Sequence, residues 1–356
     1  MKRAFNYFFK KRLLVIGIIS AIMLIITLIT FRNMSLFYQR NYLGTITYYP
    51  DGNPFILFTI VAMILSTIFP MAEFSFKMKK TSVDLYYSLP IKKHKLYLCK
   101  YLIGLLEVII PISISYIIGF LYVLTHENVY NMIYFLTYFV ELIGLIVVLY
   151  TIISFIYIQN NTEVDGVINI IFFSVVFVFI SSIVEEMFNL NSESILQYSF
   201  FFTYSPITVI TTINLDLLYG EEVAQIYLNR SILSIVFFSI IAIALFVLEI
   251  FMLKKDKSED CGQISNSYFS YKVMIPIILT CSLGLVNIYY ESYFSILIII
   301  IIAGAYFLYC LYQRKIKLKG RYFIMLGACV LAGIILSLII QEKPQYIMEA
   351  FTKLLM

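Results

Sequence analysis

Residues 132–157 read MIYFLTYFVELIGLIVVLYTIISFIY, and this stretch decides the class of fold. It contains one charged residue, Glu141, in an otherwise apolar and aromatic run. About 20 apolar residues suffice for a helix to cross the hydrocarbon core of a bilayer. The stretch therefore predicts a transmembrane helix that is tilted or extends beyond the hydrocarbon.

The composition of the whole chain points the same way. Of the 356 residues, 61% are hydrophobic and 13% are charged, whereas soluble domains carry about 25% charged residues. An integral membrane protein is predicted. The five cysteines form no CxxC pair, which argues against a disulfide framework or a zinc site.

Further apolar runs of similar length predict an all-α protein with about nine transmembrane helices. The predicted spans are 13–31, 54–73, 101–124, 132–157, 166–184, 231–253, 273–290, 294–312 and 322–340. With a cytoplasmic N-terminus, the inside segments hold 21 of the 26 Lys and Arg residues. Because cytoplasmic loops carry the excess of basic residues, this orientation is preferred over its inverse.

The longest predicted cytoplasmic loop, 74–100, contains SVDLYYSLPIKKHKLYLCKYL at 82–102, which continues into the third span. Pro90 predicts that a first helical piece ends near Ser88, because the residue before a proline avoids the α region. From Lys92 an amphipathic helix is predicted to lead into the span. The piece 84–89 offers an acid, two tyrosines and two leucines that suit docking into a partner's groove. The alternative is an ordinary basic loop.

Two fragments carry a resemblance to a known family. The run D-L-Y-Y-S-L-P-I-K-K-H-K-L-Y-L-C-K-Y-L after the second span resembles a recurrent stretch in ABC-2 type transporter permeases of Gram-positive bacteria. The run L-K-K-D-K-S-E-D-C-G at 253–262 resembles the K-x-K-S-E-x-x-G stretch of the same permeases. The resemblance extends to the permeases of peptide-antibiotic and multidrug export systems.

This resemblance implies a transporter subunit without an ATPase site or a cofactor of its own. Two permease subunits, identical or different, would bind two cytoplasmic ABC ATPase subunits that carry ATP and Mg²⁺. The chain has no G-x-x-x-x-G-K-[ST] stretch, in agreement with that expectation. By position, the resemblance assigns ATPase coupling to Asp84, Leu85, Tyr86, Tyr87, Leu89, Pro90, Lys92 and Lys93.

The expected organisation has three parts. Residues 1–12 form an N-terminal interfacial helix, and 13–253 form a six-span permease core with the coupling loop 74–100. Within that core, the outer segment 185–230 is predicted to be re-entrant or interfacial, and the alternative is an ordinary folded outer loop. Residues 254–356 form a cytoplasmic linker and a three-span accessory module, which goes beyond the six spans typical of the family.

Acidic residues within the predicted spans are the other candidates for function. Glu107 and Glu141 are predicted to lie well inside the membrane, where acids are rare and face a bundle interior or water. No Lys or Arg within a predicted span is available to pair with them. Two interpretations stay open: a pathway for a cationic or amphipathic substrate, or neutral side chains bonded to a neighbouring helix. Glu249 is expected to be structural, beside Lys254.

The predicted function is therefore export of an amphipathic substrate (a peptide antibiotic, a lipid-like molecule or a drug) across a bacterial cell membrane. The expected partners are ATPase subunits, a second permease and membrane lipid, with no nucleic acid. One rival function is a membrane sensor or scaffold without transport. Another is an ion-coupled transporter that uses Glu107 and Glu141.

Overall fold

The computed structural model describes residues 2–32, 36–40, 46–50, 53–126, 132–187, 239–253, 261–263, 270–289, 294–316 and 320–341, and the single positions 236, 265, 267 and 318. The described helices are α1 (Lys2–Arg32), α2 (Asn53–Phe74), α3 (Lys80–Tyr87), α4 (Lys93–His126), α5 (Met132–Ile158), α6 (Glu163–Met187), α7 (Ser239–Leu253), α8 (Tyr271–Tyr289), α9 (Phe294–Gln313) and α10 (Gly320–Gln341). A 3₁₀ turn, Ser75–Met78, follows α2. Strands β1 (Leu36–Arg40) and β2 (Ile46–Pro50) pair as an antiparallel hairpin.

Six helices in the described part of the chain are long and apolar enough to cross a membrane. These segments are Phe5–Arg32, Leu57–Met78, Lys93–Tyr122, Tyr138–Ile158, Ile296–Gln313 and Gly320–Ile340. They coincide with six of the nine predicted spans. The other three predicted spans correspond to α6 and to the apolar helices Ser239–Leu253 and Tyr271–Val286, which fall outside this group of six. The chain is thus a predominantly helical, multi-pass membrane protein.

The surfaces of these helices support this conclusion. Large apolar side chains are exposed along them, including Leu14 on α1, Ile64 on α2, Ile299 on α9 and Leu331 on α10. Soluble monomers rarely expose apolar surface of this extent. We assign these faces to contact with lipid.

Helix α1 joins the predicted interfacial segment 1–12 and the first predicted span without a break. At 1.5 Å per residue its 31 residues extend for about 46 Å, against about 30 Å of hydrocarbon. Helix α4, with 34 residues, is longer still. Both helices therefore continue beyond the bilayer core.

The segment between α2 and α4 follows the local signals in the sequence. Helix α3 ends at Tyr87, and the backbone N–H of its C-cap, Ser88, donates to the carbonyl oxygen of Asp84. The Ser88 hydroxyl donates to the carbonyl oxygen of Leu85 at 2.8 Å. Pro90 lies in the turn that follows, and α4 then runs unbroken from Lys93 into its span. The predicted helix end near Ser88 and the continuous entry into the third span are confirmed.

Contacts divide the chain into two compact units. Unit 1 comprises 1–155 and 206–259, and unit 2 comprises 156–205 and 260–356. Helix α6 belongs to unit 2 because it packs along α8. This grouping by contacts differs from the predicted organisation, in which α6 is part of the core that ends at residue 253. The predicted re-entrant segment 185–230 lies outside the described residues from 188 onward.

Three helices of unit 1, α1, α2 and α4, alternate in direction. Four contacts fix these directions: Arg12 with Glu107, Thr27 with Gly119, Arg12 with Glu73, and Phe31 with Phe58. Helices α1 and α4 consequently run parallel, and α2 runs antiparallel to both. Successive crossings of a membrane require this alternation.

Unit 2 is built around α8, which packs against α6, α9 and α10. At one end of the unit a polar network joins three short segments that were all predicted to be cytoplasmic, 158–165, 254–272 and 313–321. Ser265 Oγ donates to the Gln159 carbonyl oxygen (2.6 Å), Tyr271 Oη donates to Asp165 Oδ1 (2.9 Å), and an Arg314 guanidinium nitrogen lies 3.9 Å from Asp165 Oδ2. Segments predicted to share one side of the membrane thus meet at one end of this unit.

Candidate functional site

Four charged side chains meet inside unit 1: Arg12, Glu73, Lys100 and Glu107, called here the charge cluster. The Arg12 guanidinium contacts a Glu73 carboxylate oxygen, and its Nε lies 3.2 Å from Glu107 Oε1. The Lys100 ammonium donates to Glu73 Oε2 at 2.8 Å. Three helices, α1, α2 and α4, therefore meet at two cations and two carboxylates.

Burial makes this arrangement dependent on pairing. The side chains of Glu73 and Glu107 are fully buried, and that of Lys100 is 7% exposed. A charge taken out of water costs several kcal/mol unless opposite charges and hydrogen bonds compensate. Two positive and two negative groups supply that compensation, and the planar arginine group, with its five donors, can hold two carboxylates together.

An aromatic cage closes over Lys100. Its ammonium lies 5.0 Å from the ring centre of Phe8, 5.3 Å from that of Tyr86 and 5.9 Å from that of Phe76. Ring faces attract cations at these distances. Tyr86 also packs on Phe76, with ring centres 4.6 Å apart. The cage therefore connects α3 to the charge cluster.

The predicted coupling residues divide between two environments. The outward group, exposed to solvent, is Asp84, Leu85, Pro90 and Lys92, and the half-buried group is Tyr86, Tyr87, Leu89 and Lys93. Leu85 is 65% exposed. Lys93 lies over the Tyr87 ring at 4.5 Å. Tyr86 thus packs within the chain, whereas Leu85 faces outward.

Tyr150 on α5 reaches the charge cluster because α4 has a glycine opposite it. A Cβ atom added to Gly104 would lie 2.1 Å from Tyr150 Oη and 3.0 Å from Glu73 Cγ. The Tyr150 hydroxyl is buried and has no hydrogen-bond partner among the described residues. Glu107 Oε2 is likewise buried and has no hydrogen-bond partner among the described residues. The cluster therefore contains two polar atoms available for further hydrogen bonds.

Glu249 on α7 lies in a separate hydroxyl-rich region of unit 1. The Tyr97 hydroxyl donates to Glu249 Oε2 at 2.5 Å, and Glu249 is fully buried. Its expected neighbour Lys254 lies outside the described residues. The hydrogen bond from Tyr97 is the observation that supports a structural role for Glu249.

The two predicted pathway acids lie in different surroundings. Glu107 belongs to the charge cluster. Glu141 is buried one turn after Tyr138, whose hydroxyl is 2.6 Å from Thr59 Oγ1 and whose ring stacks on that of Tyr116. A role for either acid in a pathway stays a prediction.

Sequence reasoning missed the partners of Glu107. The search for cations within the predicted spans left out Arg12, which lies one residue before the first predicted span and pairs with Glu107. Arg12 was assigned to an interfacial helix, and Lys100 to a loop, yet both side chains reach inward to carboxylates. A signal was present in the sequence: the inner ends of the first three predicted spans carry Arg12, Glu73 and Lys100 side by side in the predicted topology.

Comparison of the chain with family models, with curated proteins and with solved structures found no match.

Proposed function

We propose that this chain is the membrane-spanning subunit of an ATP-driven exporter of the ABC-2 type. It crosses a bacterial cell membrane nine times with its N-terminus in the cytoplasm. It pairs with a second permease subunit and with separate ATPase subunits, and it exports an amphipathic substrate. The resemblance of 84–102 to such permeases is the sequence basis for this proposal.

One observation carries the proposal furthest: the two-sided character of α3. Its inner side chain Tyr86 packs in the aromatic cage, while Asp84 and Leu85 are exposed. A short helix that is anchored from behind and presents a large apolar side chain in front suits a docking element. The positive residues around it suit the cytoplasmic side.

The contacts of Tyr86 suggest how movement of α3 reaches the membrane. ATP binding closes the ATPase pair and displaces α3. Tyr86 transmits this displacement to Lys100, and Lys100 transmits it to Glu73. The relative positions of α1, α2 and α4 then change, because all three helices meet at the charge cluster.

The experiment uses the tagged chain, purified from its native membrane with its ATPase and reconstituted in lipid nanodiscs. We expect Leu85→Ala to weaken ATPase binding about thirtyfold, because buried apolar anchors of an interface contribute about 2 kcal/mol. Val164→Ala is the matched control, since Val164 is 67% exposed but belongs to α6. Bound ATPase and substrate-stimulated ATP hydrolysis are measured together.

Equal ATPase binding by the two variants would show that α3 is not part of the interface with the ATPase. Substrate transport in proteoliposomes without ATP would instead favour the ion-coupled alternative. A chain that binds a partner but neither transports nor stimulates hydrolysis would favour the sensor or scaffold.

A further inference from the structure

We propose that Glu73 and Glu107 form a binding site for a guanidinium or primary ammonium group of the substrate, and that Arg12 occupies this site from within the same chain. The naming of a substrate rests on the proposed export function. The site itself rests on contacts within unit 1. Arg12 in this view is an internal competitor that leaves when the substrate cation enters.

The geometry of the two carboxylates supports a cation site. Glu73 belongs to α2 and Glu107 to α4, and one guanidinium, that of Arg12, contacts both. The spacing of the carboxylates therefore fits a single planar cation with several N–H donors. Lys100 neutralises Glu73 from the side of the aromatic cage.

Two further atoms at the site can accept hydrogen bonds from a ligand. Glu107 Oε2 and the Tyr150 hydroxyl are buried, and neither has a hydrogen-bond partner among the described residues. Both side chains are fully buried. Buried polar atoms are normally hydrogen-bonded, and an exception calls for an explanation. A ligand explains the exception if it directs N–H donors at these two atoms, which Arg12 does not reach.

Exposure identifies the member of the charge cluster that can exchange. The Arg12 side chain is 31% exposed, whereas the other three side chains are 7% exposed or less. Without Arg12, two carboxylates would face one ammonium, and this buried region would lack one positive charge. Because uncompensated buried charge is unfavourable, departure of Arg12 is accompanied either by arrival of another cation or by protonation of a carboxylate. Substrate entry and displacement of the first turns of α1 are consequently linked.

The test uses n-octylguanidinium as the probe and the permease alone in nanodiscs. The chain has no tryptophan, so Phe8→Trp places a single tryptophan in the aromatic cage, and its emission can be excited apart from that of the tyrosines. All proteins compared carry this reporter. The control probe is n-octyltrimethylammonium, which has the same charge and tail but no N–H donor.

We expect saturable binding of n-octylguanidinium that is about tenfold tighter in Arg12→Met than in the protein with Arg12. Adding Glu107→Gln to Arg12→Met should abolish the gain, and the control probe should give no saturable signal. Equal affinities in all three proteins would overturn the proposal, since they indicate partition into lipid. Equal responses to the two probes would also overturn it.

Arg12→Lys provides a second comparison if Arg12→Met does not fold. Lysine keeps the charge but lacks the two-pronged donor geometry, so the affinity for n-octylguanidinium should rise by a smaller factor. An unchanged affinity in Arg12→Lys would then contradict the proposal. Because no ATPase is present, failure here leaves the export function standing, and loss of ATPase coupling leaves the cation site standing.

Discussion

Lys100 shows how one residue joins two kinds of interaction. Its ammonium donates to a buried carboxylate, Glu73, and lies against three aromatic rings. Removal of the ammonium would leave Glu73 with Arg12 as its remaining cation in the charge cluster. Truncation of one partner of a buried ion pair is far more destabilising than loss of an exposed charge, because the remaining partner stays buried.

We therefore expect Lys100→Ala to lower the free energy of unfolding by about 3 kcal/mol. Lys95→Ala is the matched control, because Lys95 lies on the same helix and is exposed. Thermal unfolding in detergent, followed by size-exclusion chromatography, measures both variants. Equal midpoints would show that the pairing with Glu73 contributes little to stability.

The limits of sequence reasoning are clearest for these same residues. Burial of Glu107 was predictable from its position in an apolar run, but its pairing with Arg12 was not. The pairing depends on the register in which α1 lies parallel to α4. The residues of the two helices do not by themselves specify that register. The cage around Lys100 likewise depends on Phe8, which is far away in the chain.

Among the elements that the structure describes, α1 and α4 form the most extensively packed pair. Gly119 allows their close approach, since a Cβ at this position would lie 2.7 Å from Thr27 Cγ2 and 2.8 Å from Phe31 Cε2. In contrast, a Cβ at Gly17 on α1 would meet no atom within 4 Å. The two glycines therefore differ in what they contribute to the same pair of helices.

Gly119→Ala should destabilise the protein by about 2 kcal/mol, because overfilling a packed contact forces side chains or backbone to shift. Gly17→Ala should be neutral or stabilising by up to about 1 kcal/mol, as alanine favours a helix. Thermal unfolding of the two variants under identical conditions measures the difference. A destabilised Gly17→Ala with an unaffected Gly119→Ala would contradict the packing of α1 on α4.

Elements with local signals were the most predictable. Pro90 and Ser88 mark the end of α3, and the structure ends the helix there. The long apolar runs predicted six of the spans for the same reason. The grouping of α6 with α8 was not predictable, because it is decided by side-chain fit between distant segments rather than by hydropathy.

For the whole molecule, the alternating directions of α1, α2 and α4 agree with the predicted order of the first three crossings. The distribution of Lys and Arg decides which end faces the cytoplasm. Ser88 after α3 and Thr125 near the end of α4 are both exposed. They are predicted to lie on opposite sides of the membrane.

With the five natural cysteines replaced by alanine, Thr125→Cys should react with an impermeant thiol reagent on intact cells. Ser88→Cys should react only after the membrane is permeabilised. Mass-shift labelling followed by immunoblotting distinguishes the two. The reverse labelling pattern would show that the orientation is the opposite one and that α3 does not lie on the cytoplasmic side.

The order of the charges along the chain bears on how the protein is made. Arg12 emerges from the ribosome first, Glu73 follows, and α4 then brings Lys100 and Glu107 together. The charge cluster is therefore neutral after α2 has been synthesised and neutral again after α4. The insertion machinery can release α1 with α2 once Arg12 and Glu73 are paired, and α4 then brings Lys100 and Glu107 without leaving a charge of the cluster unmatched in the lipid.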